Sequence, residues 1–231
     1  MKNKRLGFTL IELTLAITFL SILLLAILYT TVQAGKMYAK GVTYKSVNQV
    51  SREVVDTIRR DFIAANASSI IITTPAGASP AQSGRFCIGQ VSYVWNTAAL
   101  LSSPSTIPAK IMDGKTPVTL RRVVDPGGTL CIASKTGQYP MKITGMTSTE
   151  LLSTNGRDLA AYTFGMTLLK SDGKNRGLYQ IRMVMGTNEV GTTLLDGAGE
   201  YTCRPPTDNT ANFEYCTVVD IDTIIRAGGD A

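Results

Sequence analysis

Residues 7–35 read GFTLIELTLAITFLSILLLAILYTTVQAG, and they set the organisation of the whole chain. After Glu12 there is no charged side chain for 23 positions, residues 13–35. As a helix this run is about 35 Å long at about 1.5 Å per residue, enough to cross the hydrocarbon core of a bilayer. We therefore expect a membrane-spanning helix near the N-terminus, with a carboxylate at its edge.

Basic residues cluster on the N-terminal side of this apolar run. Lys2, Lys4 and Arg5 precede it, and the next charge after it is Lys36. Because positive charges stay on the cytoplasmic side of a span, residues 1–7 are predicted to be cytoplasmic and the remainder extracytoplasmic. Without these three residues the net charge falls from +6 to +3, 20 basic minus 17 acidic, so the body is only mildly basic.

Glu12 is the unusual residue at the edge of the apolar run. A carboxylate moved towards the bilayer centre costs on the order of a few kcal/mol, so it is expected to have a function and a partner. Cleavage after Gly7 would place the new amine of Phe8 one helical turn from Glu12, and equally near the carboxylate of an adjacent copy. An amine and a carboxylate neutralise each other well in an apolar setting. Glu12 is therefore a candidate for docking between subunits.

At these residues the chain resembles the type IV pilin-like family. The class III signal of that family is a short basic leader ending in Gly, then Phe-Thr-Leu-Ile-Glu and an apolar helix, and residues 7–12 match it at every position. The resemblance implies that a membrane-embedded prepilin peptidase cuts between Gly7 and Phe8 and N-methylates Phe8. It also implies that Glu12 guides docking of the subunit into a helical filament of pilin subunits at an inner-membrane assembly platform.

Beyond the signal the similarity is diffuse, and it is closest to W-type minor pilins and to the J-type minor pseudopilins of type II secretion. The resemblance implies a non-enzymatic subunit that primes assembly or sits near the filament tip. Such a subunit is a single-pass membrane protein before assembly and lies in the pilus at the cell surface afterwards. Two other interpretations stay open: a plain membrane anchor, and a signal peptide cut after Ala34 that releases a secreted adhesin or binding module.

The pattern beyond Gly35 becomes amphipathic. Apolar residues recur at three- and four-residue steps between charged ones, which predicts a helix with one buried stripe: Val47, Val50, Val54, Ile58 and Phe62. No proline occurs before residue 75, so one helix of about 55 residues is expected from Phe8 to roughly Ala65, softened at Gly35 and Gly41.

The rest of the chain is predicted to be β-rich. Strands are expected where β-branched and aromatic residues cluster between turn signals, at residues 70–74, 85–95, 118–124, 159–169, 178–185 and 215–225. No helical pattern separates them, so the sheet is predicted to be antiparallel and the fold α+β, with the long helix packed on the head. The predicted divisions are a leader at 1–7, an apolar helix at 8–35, an amphipathic helix at 36–66 and a globular head at 67–231.

The four cysteines point to an oxidising compartment. They are dispersed, none forms a C-x-x-C pair, and they follow a membrane signal, which together predict two disulfides with three possible pairings: Cys87, Cys131, Cys203 and Cys216. Proximity in sequence favours Cys203 with Cys216, which leaves Cys87 for Cys131. Free buried thiols are the alternative.

Composition argues against most enzyme chemistry. The chain contains no histidine, so mechanisms that use an imidazole as base, proton shuttle or metal ligand are excluded. Ser171 with Lys174 fits S-x-x-K, and residues 135–137 read KTG, but the order is reversed and both lie in predicted turns. No cofactor or resident metal is expected.

Two further patterns are candidate binding sites. Asp220 and Asp222 face one side of a predicted strand and are candidate calcium ligands together with Asp208 and Asn209, although a solvated strand face is favoured. Scattered basic residues in the head suggest weak nucleic-acid binding at most, because no aromatic residues interleave with them: Arg121, Arg122, Lys142, Arg157, Lys170, Lys174, Arg176 and Arg182. Trp95, the single tryptophan, is interpreted as a core residue.

Overall fold

The structure is a computed structural model, and it describes residues 9–73, 82–104, 110–154, 157–173, 175–188, 193–196, 199–205, 207 and 213–228. Its first element is one unbroken α-helix, α1, Leu10–Ala64, of 55 residues. The bonding pattern continues through Gly35 and Gly41, where nothing lies within 4 Å of an added Cβ. The long proline-free helix predicted from the sequence is therefore confirmed.

The C-terminal half of α1 packs on the head through a single stripe. The predicted apolar residues Val47, Val50, Val54, Ile58 and Phe62 are all buried. Thr43 and Ser51 are buried in the same stripe. The Ser51 hydroxyl donates to the Val47 carbonyl at 2.6 Å, so it brings no unpaired polar group into the core.

Within its described residues the head contains thirteen strands and one short helix, α2, Ala98–Leu101. The strands are β1 (Ile70–Ile72), β2 (Ser83–Ile88), β3 (Val91–Asn96), β4 (Met112–Asp113), β5 (Thr116–Pro117), β6 (Leu120–Val124), β7 (Ser148–Glu150), β8 (Ser153–Thr154), β9 (Arg157–Ser171), β10 (Gly177–Thr187), β11 (Thr193–Leu195), β12 (Tyr201–Cys203) and β13 (Val218–Ala227). Short 3-10 turns occur at Ala67–Ser69, Thr129–Cys131 and Phe213–Tyr215.

These strands form two main antiparallel sheets. The first has the order β1-β2-β3-β6-β7 and the second β13-β10-β9-β8, while β4-β5 and β11-β12 are separate two-stranded ribbons. In the second sheet β9 and β10, which cover the predicted strands at 159–169 and 178–185, pair with each other as a hairpin, and β13 pairs along β10 from Gly177↔Ala227 to Gly186↔Val218. The α+β, pilin-like architecture predicted from the sequence is confirmed, with the strands divided between two sheets.

One core joins α1 to both sheets. It contains the buried stripe of the helix, aromatic residues of β2 and β3, and one face of β9, β10 and β13. Trp95 is fully buried there, with its ring centroid 4.6 Å from that of Phe164 and 5.8 Å from that of Phe86. Its predicted core position is confirmed. A second core covers the other face of the first sheet, where segments before and after β6 in the chain, including Ile111 and Ile143, pack against β2, β3 and β6.

The prediction of one strand over residues 85–95 is wrong. The chain turns at Gly89 and Gln90, and Ile88 pairs with Val91 to close a hairpin. Gly89 has φ +56°, which glycine adopts at little cost. The first sheet is covered on both faces, so both strands are almost uniformly buried and no alternation of apolar and polar residues marks the turn.

Candidate assembly site

The N-terminal half of α1 has no packing partner within the described chain. Residues 9–38 are all exposed, and at about 1.5 Å per residue they extend about 45 Å from the head. Leucine, isoleucine and phenylalanine face outward on every side, including Leu10, Phe19 and Leu25 at 67–82% exposure. Among the described residues it is the one helix long and apolar enough to cross a membrane. A contiguous apolar surface of this size requires a lipid or protein environment.

Glu12 lies at the polar end of this exposed half and closes a capping box with Thr9. Glu12 Oε2 accepts from the Thr9 backbone N–H at 3.0 Å and from the Thr9 hydroxyl at 2.8 Å. In return the Glu12 N–H donates to Thr9 Oγ1 at 3.3 Å. The carboxylate therefore satisfies backbone donors at the helix N-terminus and lies at the positive end of the helix dipole.

The capping box was missed in the sequence analysis, although Thr9-x-x-Glu12 is its usual signature. Both bonds to the carboxylate use Oε2, and Oε1 has no partner among the described residues. Gly7 and Phe8, the predicted processing residues, lie outside the described residues. The pairing of Glu12 with an amine at Phe8 stays a prediction.

The exposed half of α1 ends at a loop from the C-terminal part of the head. We call residues 203–216, closed by the Cys203–Cys216 disulfide, the junction loop. Lys36 Nζ lies 3.1 Å from Glu214 Oε1. One turn later, Lys40 Nζ donates to the carbonyls of Phe213, at 3.2 Å, and of Cys216.

Lys40 is held tightly at this junction. Its ammonium lies 4.1 Å from the centroid of the Phe213 ring, a cation–π contact. Desolvation lowers the pKa of Lys40, and the neighbouring Glu214 carboxylate opposes that shift in part. The junction loop thus binds α1 where the helix changes from exposed to packed, and the sequence gives no pattern that predicts this contact.

Both disulfides favoured by proximity in sequence are confirmed. Cys87 bonds to Cys131, linking β2 to the 3-10 turn at Thr129–Cys131 across 44 residues. Cys203 bonds to Cys216 across 13 residues and closes the junction loop. The described chain contains no free cysteine.

An ion pair fixes the other end of the packed half of α1. Arg122 Nε and Nη2 donate to the two carboxylate oxygens of Asp61 at 2.7 and 2.9 Å, and the Tyr93 hydroxyl donates to Oδ2 at 2.5 Å. The hydrogen bonds that Arg122 donates to Asp61 raise the pKa of Arg122, and burial raises the pKa of Tyr93. This bidentate pair ties α1 to β3 and β6.

The basic residues considered for nucleic-acid binding are partly neutralised within the fold. Arg122 pairs with Asp61, and Arg121 pairs with Asp113 and with Glu150 at 3.1 Å. Arg182 lies 3.5 Å from Asp222. Lys174 and the Arg157 side chain lie outside the described residues. No basic surface for a nucleic acid is therefore assembled from Arg121 and Arg122.

The possible calcium ligands are only partly described. Asp220 and Asp222 are exposed on β13, while Ile225 is buried on the opposite face, so the favoured solvated strand face is confirmed. Asp208 and Asn209 lie outside the described residues. Across the described parts of the chain, no group of three or more acidic, cysteine or histidine residues is arranged to hold a metal.

The S-x-x-K serine lies at the end of β9 in a turn. Ser171 Oγ accepts from the Gly173 N–H at 3.1 Å, a turn bond that gives no sign of an activated nucleophile. Lys174 lies outside the described residues. In the KTG stretch, Gly137 has φ +76° and its N–H donates to Ser134 at 2.9 Å, so this segment is also a turn.

Comparison with known proteins gives no relative. No protein-family model, no curated protein and no solved structure matches the chain.

Proposed function

We propose that this protein is a minor pilin that is processed by a prepilin peptidase and assembles through the exposed half of α1 into a type IV pilus. Its place is near the filament tip, where it primes assembly, and its role is non-enzymatic. The observation that carries the proposal is a 55-residue helix whose first 29 residues, 10–38, are all exposed and whose second half packs on a disulfide-bonded head. Such a helix suits a subunit that moves from membrane to filament core.

Glu12 has two functions in this proposal. The capping box with Thr9 stabilises the start of the helix, and Oε1, which has no partner among the described residues, is available to an amine of the same or an adjacent subunit. Gly7 is the cleavage residue and Phe8 becomes the methylated terminus. The proposed partners are the prepilin peptidase, other pilin subunits, the membrane and the inner-membrane assembly platform.

The direct test is the mass of the N-terminal peptide of the mature protein, recovered from membranes and from sheared filaments. We expect a chain that starts at N-methylated Phe8. A chain that starts at Gly35 would instead assign the protein to the secreted adhesins, and an intact Met1 would leave a plain anchor.

Two variants separate processing from docking. Gly7→Val should block cleavage and leave the full-length chain in the membrane. Glu12→Ala should be cleaved normally but should reduce the number of filaments. Thr9→Ala is the matched control, because it removes the capping hydroxyl and keeps the carboxylate. Normal cleavage of Gly7→Val, or equal filament loss in Thr9→Ala and Glu12→Ala, would contradict these roles.

The second candidate is a minor pseudopilin of type II secretion, which the same exposed helix and disulfide-bonded head support. Gene deletion distinguishes the two. Loss of surface pili with normal secretion of folded enzymes supports the pilin, and the reverse supports the pseudopilin.

A further inference from the structure

The outer face of the second sheet carries a groove on the side away from α1. Alternate residues of β10, including Ile181 and Met183, point into the core shared with the helix. The residues between them, including Arg182 and Val184, face outward. The ribbon β11-β12 lies beside this outer face and leaves a groove of about 320 Å³. That volume is at the lower end of the range for small-molecule sites, about 300–1,000 Å³.

Strand register explains how the groove forms. Arg182 is paired with Gly165 on β9, so the position beside the guanidinium has no side chain. Gly199, in the turn before β12, lies in the opposite wall and likewise has no side chain to fill the groove. The Tyr201 ring is fixed against Tyr162, with centroids 4.8 Å apart. The groove is therefore built on paired strands and a packed aromatic residue.

The polar groups of the groove include both donors and acceptors. Its side-chain lining includes Thr163, Arg182, Val184, Glu200, Tyr201 and Asp220. Arg182 is oriented by Asp222, whose carboxylate also accepts from Gln180 Nε2 at 2.8 and 2.9 Å. The carboxylates of Glu200 and Asp220 make no ion pair with any residue that the structure describes.

This mixture of groups selects the class of ligand. An anion would meet the two carboxylates Glu200 and Asp220, and a simple cation would meet the guanidinium of Arg182. A neutral ligand with many hydroxyl groups is repelled by neither kind of charge, because each hydroxyl can donate to a carboxylate or accept from the guanidinium. Tyr201 and Val184 supply an apolar surface for its C–H face.

We propose that this groove is a binding site for a neutral carbohydrate of about one or two sugar units. The site lies on the face of the second sheet opposite α1, so α1 does not cover it. This proposal does not depend on the proposed function as a pilin.

The test is a ligand-observed NMR titration of the full chain in lipid nanodiscs, which avoids detergents with sugar headgroups. The probes are maltose, lactose and diacetylchitobiose, with glycine as a zwitterionic comparison. We expect saturable binding of at least one disaccharide and none of glycine. The double variant Glu200→Gln, Asp220→Asn should weaken that binding by about tenfold or more, because it removes two charge-assisted acceptors.

Glu53→Gln is the matched control, because it neutralises an exposed carboxylate on α1, outside the groove. It should bind as the unaltered chain does, and all variants should show the same unfolding temperature. Absence of saturable binding of all three disaccharides, preference for glycine, or unchanged affinity in the double variant would overturn the proposal.

Discussion

The two halves of α1 share one unbroken helix but place their apolar residues differently. In residues 10–38 apolar side chains lie on all sides and all are exposed, whereas in residues 39–64 the stripe from Val47 to Phe62 is buried against the head and Val42, Tyr44 and Ile63 stay exposed. A helix that is apolar all round needs a surrounding apolar medium, while a striped helix needs one packing surface. The stability of the head therefore depends on the second half, and the exposed first half adds no packing to it.

The sharpest test of this difference is a pair of phenylalanines. Phe62 is fully buried in the stripe, and Phe19 is 67% exposed. Phe62→Ala should lower the free energy of unfolding by about 3–5 kcal/mol, because it leaves a cavity in the shared core. Phe19→Ala should change it by less than about 0.5 kcal/mol. Urea unfolding of the lipid-bound chain, followed by Trp95 fluorescence, measures both, and an equal loss in the two variants would contradict the comparison.

The boundary between the halves depends on the junction loop. In the double variant Cys203→Ser, Cys216→Ser, loss of a disulfide across 13 residues should cost about 3 kcal/mol in the chain-entropy model. Amide hydrogen exchange should also rise in residues 36–43, because Lys36, Lys40 and Thr43 contact this loop. The double variant Cys87→Ser, Cys131→Ser is the control, and we expect no local rise there. Unchanged exchange at residues 36–43 would show that the loop does not hold the boundary.

Two aspartates on the packed half separate a tertiary ion pair from a surface one. Asp61 accepts both bonds from Arg122, whereas Asp56 lies 3.5 Å from Arg59 on the same exposed helix face. Asp61→Asn should cost about 2 kcal/mol, since a bidentate, partly buried pair and the Tyr93 bond are both weakened. Asp56→Asn should cost less than about 0.5 kcal/mol. Urea unfolding measures both. A similar loss of unfolding free energy in the two variants would show that the Asp61–Arg122 pair is no stronger than an ordinary surface ion pair.

The smallest expected change in stability distinguishes two lysines. Lys40 donates to the carbonyls of Phe213 and Cys216, while Lys45 is exposed. Lys40→Met should lower stability by about 1 kcal/mol, because the carbonyls lose a charged donor and the methionine still fills the contact. Lys45→Met should have no measurable effect. Thermal melts measure both variants. An unfolding temperature of Lys40→Met that is no lower than that of Lys45→Met would mean that the disulfide holds the junction without Lys40.

Regular patterns made much of this fold predictable. The stripe from Val47 to Phe62 follows helical spacing, and the hairpin of β9 and β10 is separated by a polar Gly-containing turn. The disulfides follow proximity in sequence. Each signal is local, so it can be read without knowing the tertiary arrangement.

Contacts between distant segments were not predictable in this way. The partner of Arg122 is Asp61, 61 residues away, and the carbonyls bound by Lys40 are more than 170 residues away. The ribbon β11-β12, which forms one wall of the groove, has strands of only three residues. The capping box at Thr9 and Glu12 is different, because its signature is visible in the sequence. In the sequence analysis Glu12 was assigned to docking alone.

The exposed half of α1 acts as a lever whose fulcrum is the junction at Lys40. With an arm of about 45 Å, a change of about 5° in the direction of the helix at the junction moves the Thr9 end by about 4 Å. Gly35 and Gly41 bracket this fulcrum, and glycine is the helix residue that bends at least cost. Small adjustments of the junction loop are therefore magnified at the far end of the arm, where Glu12 lies.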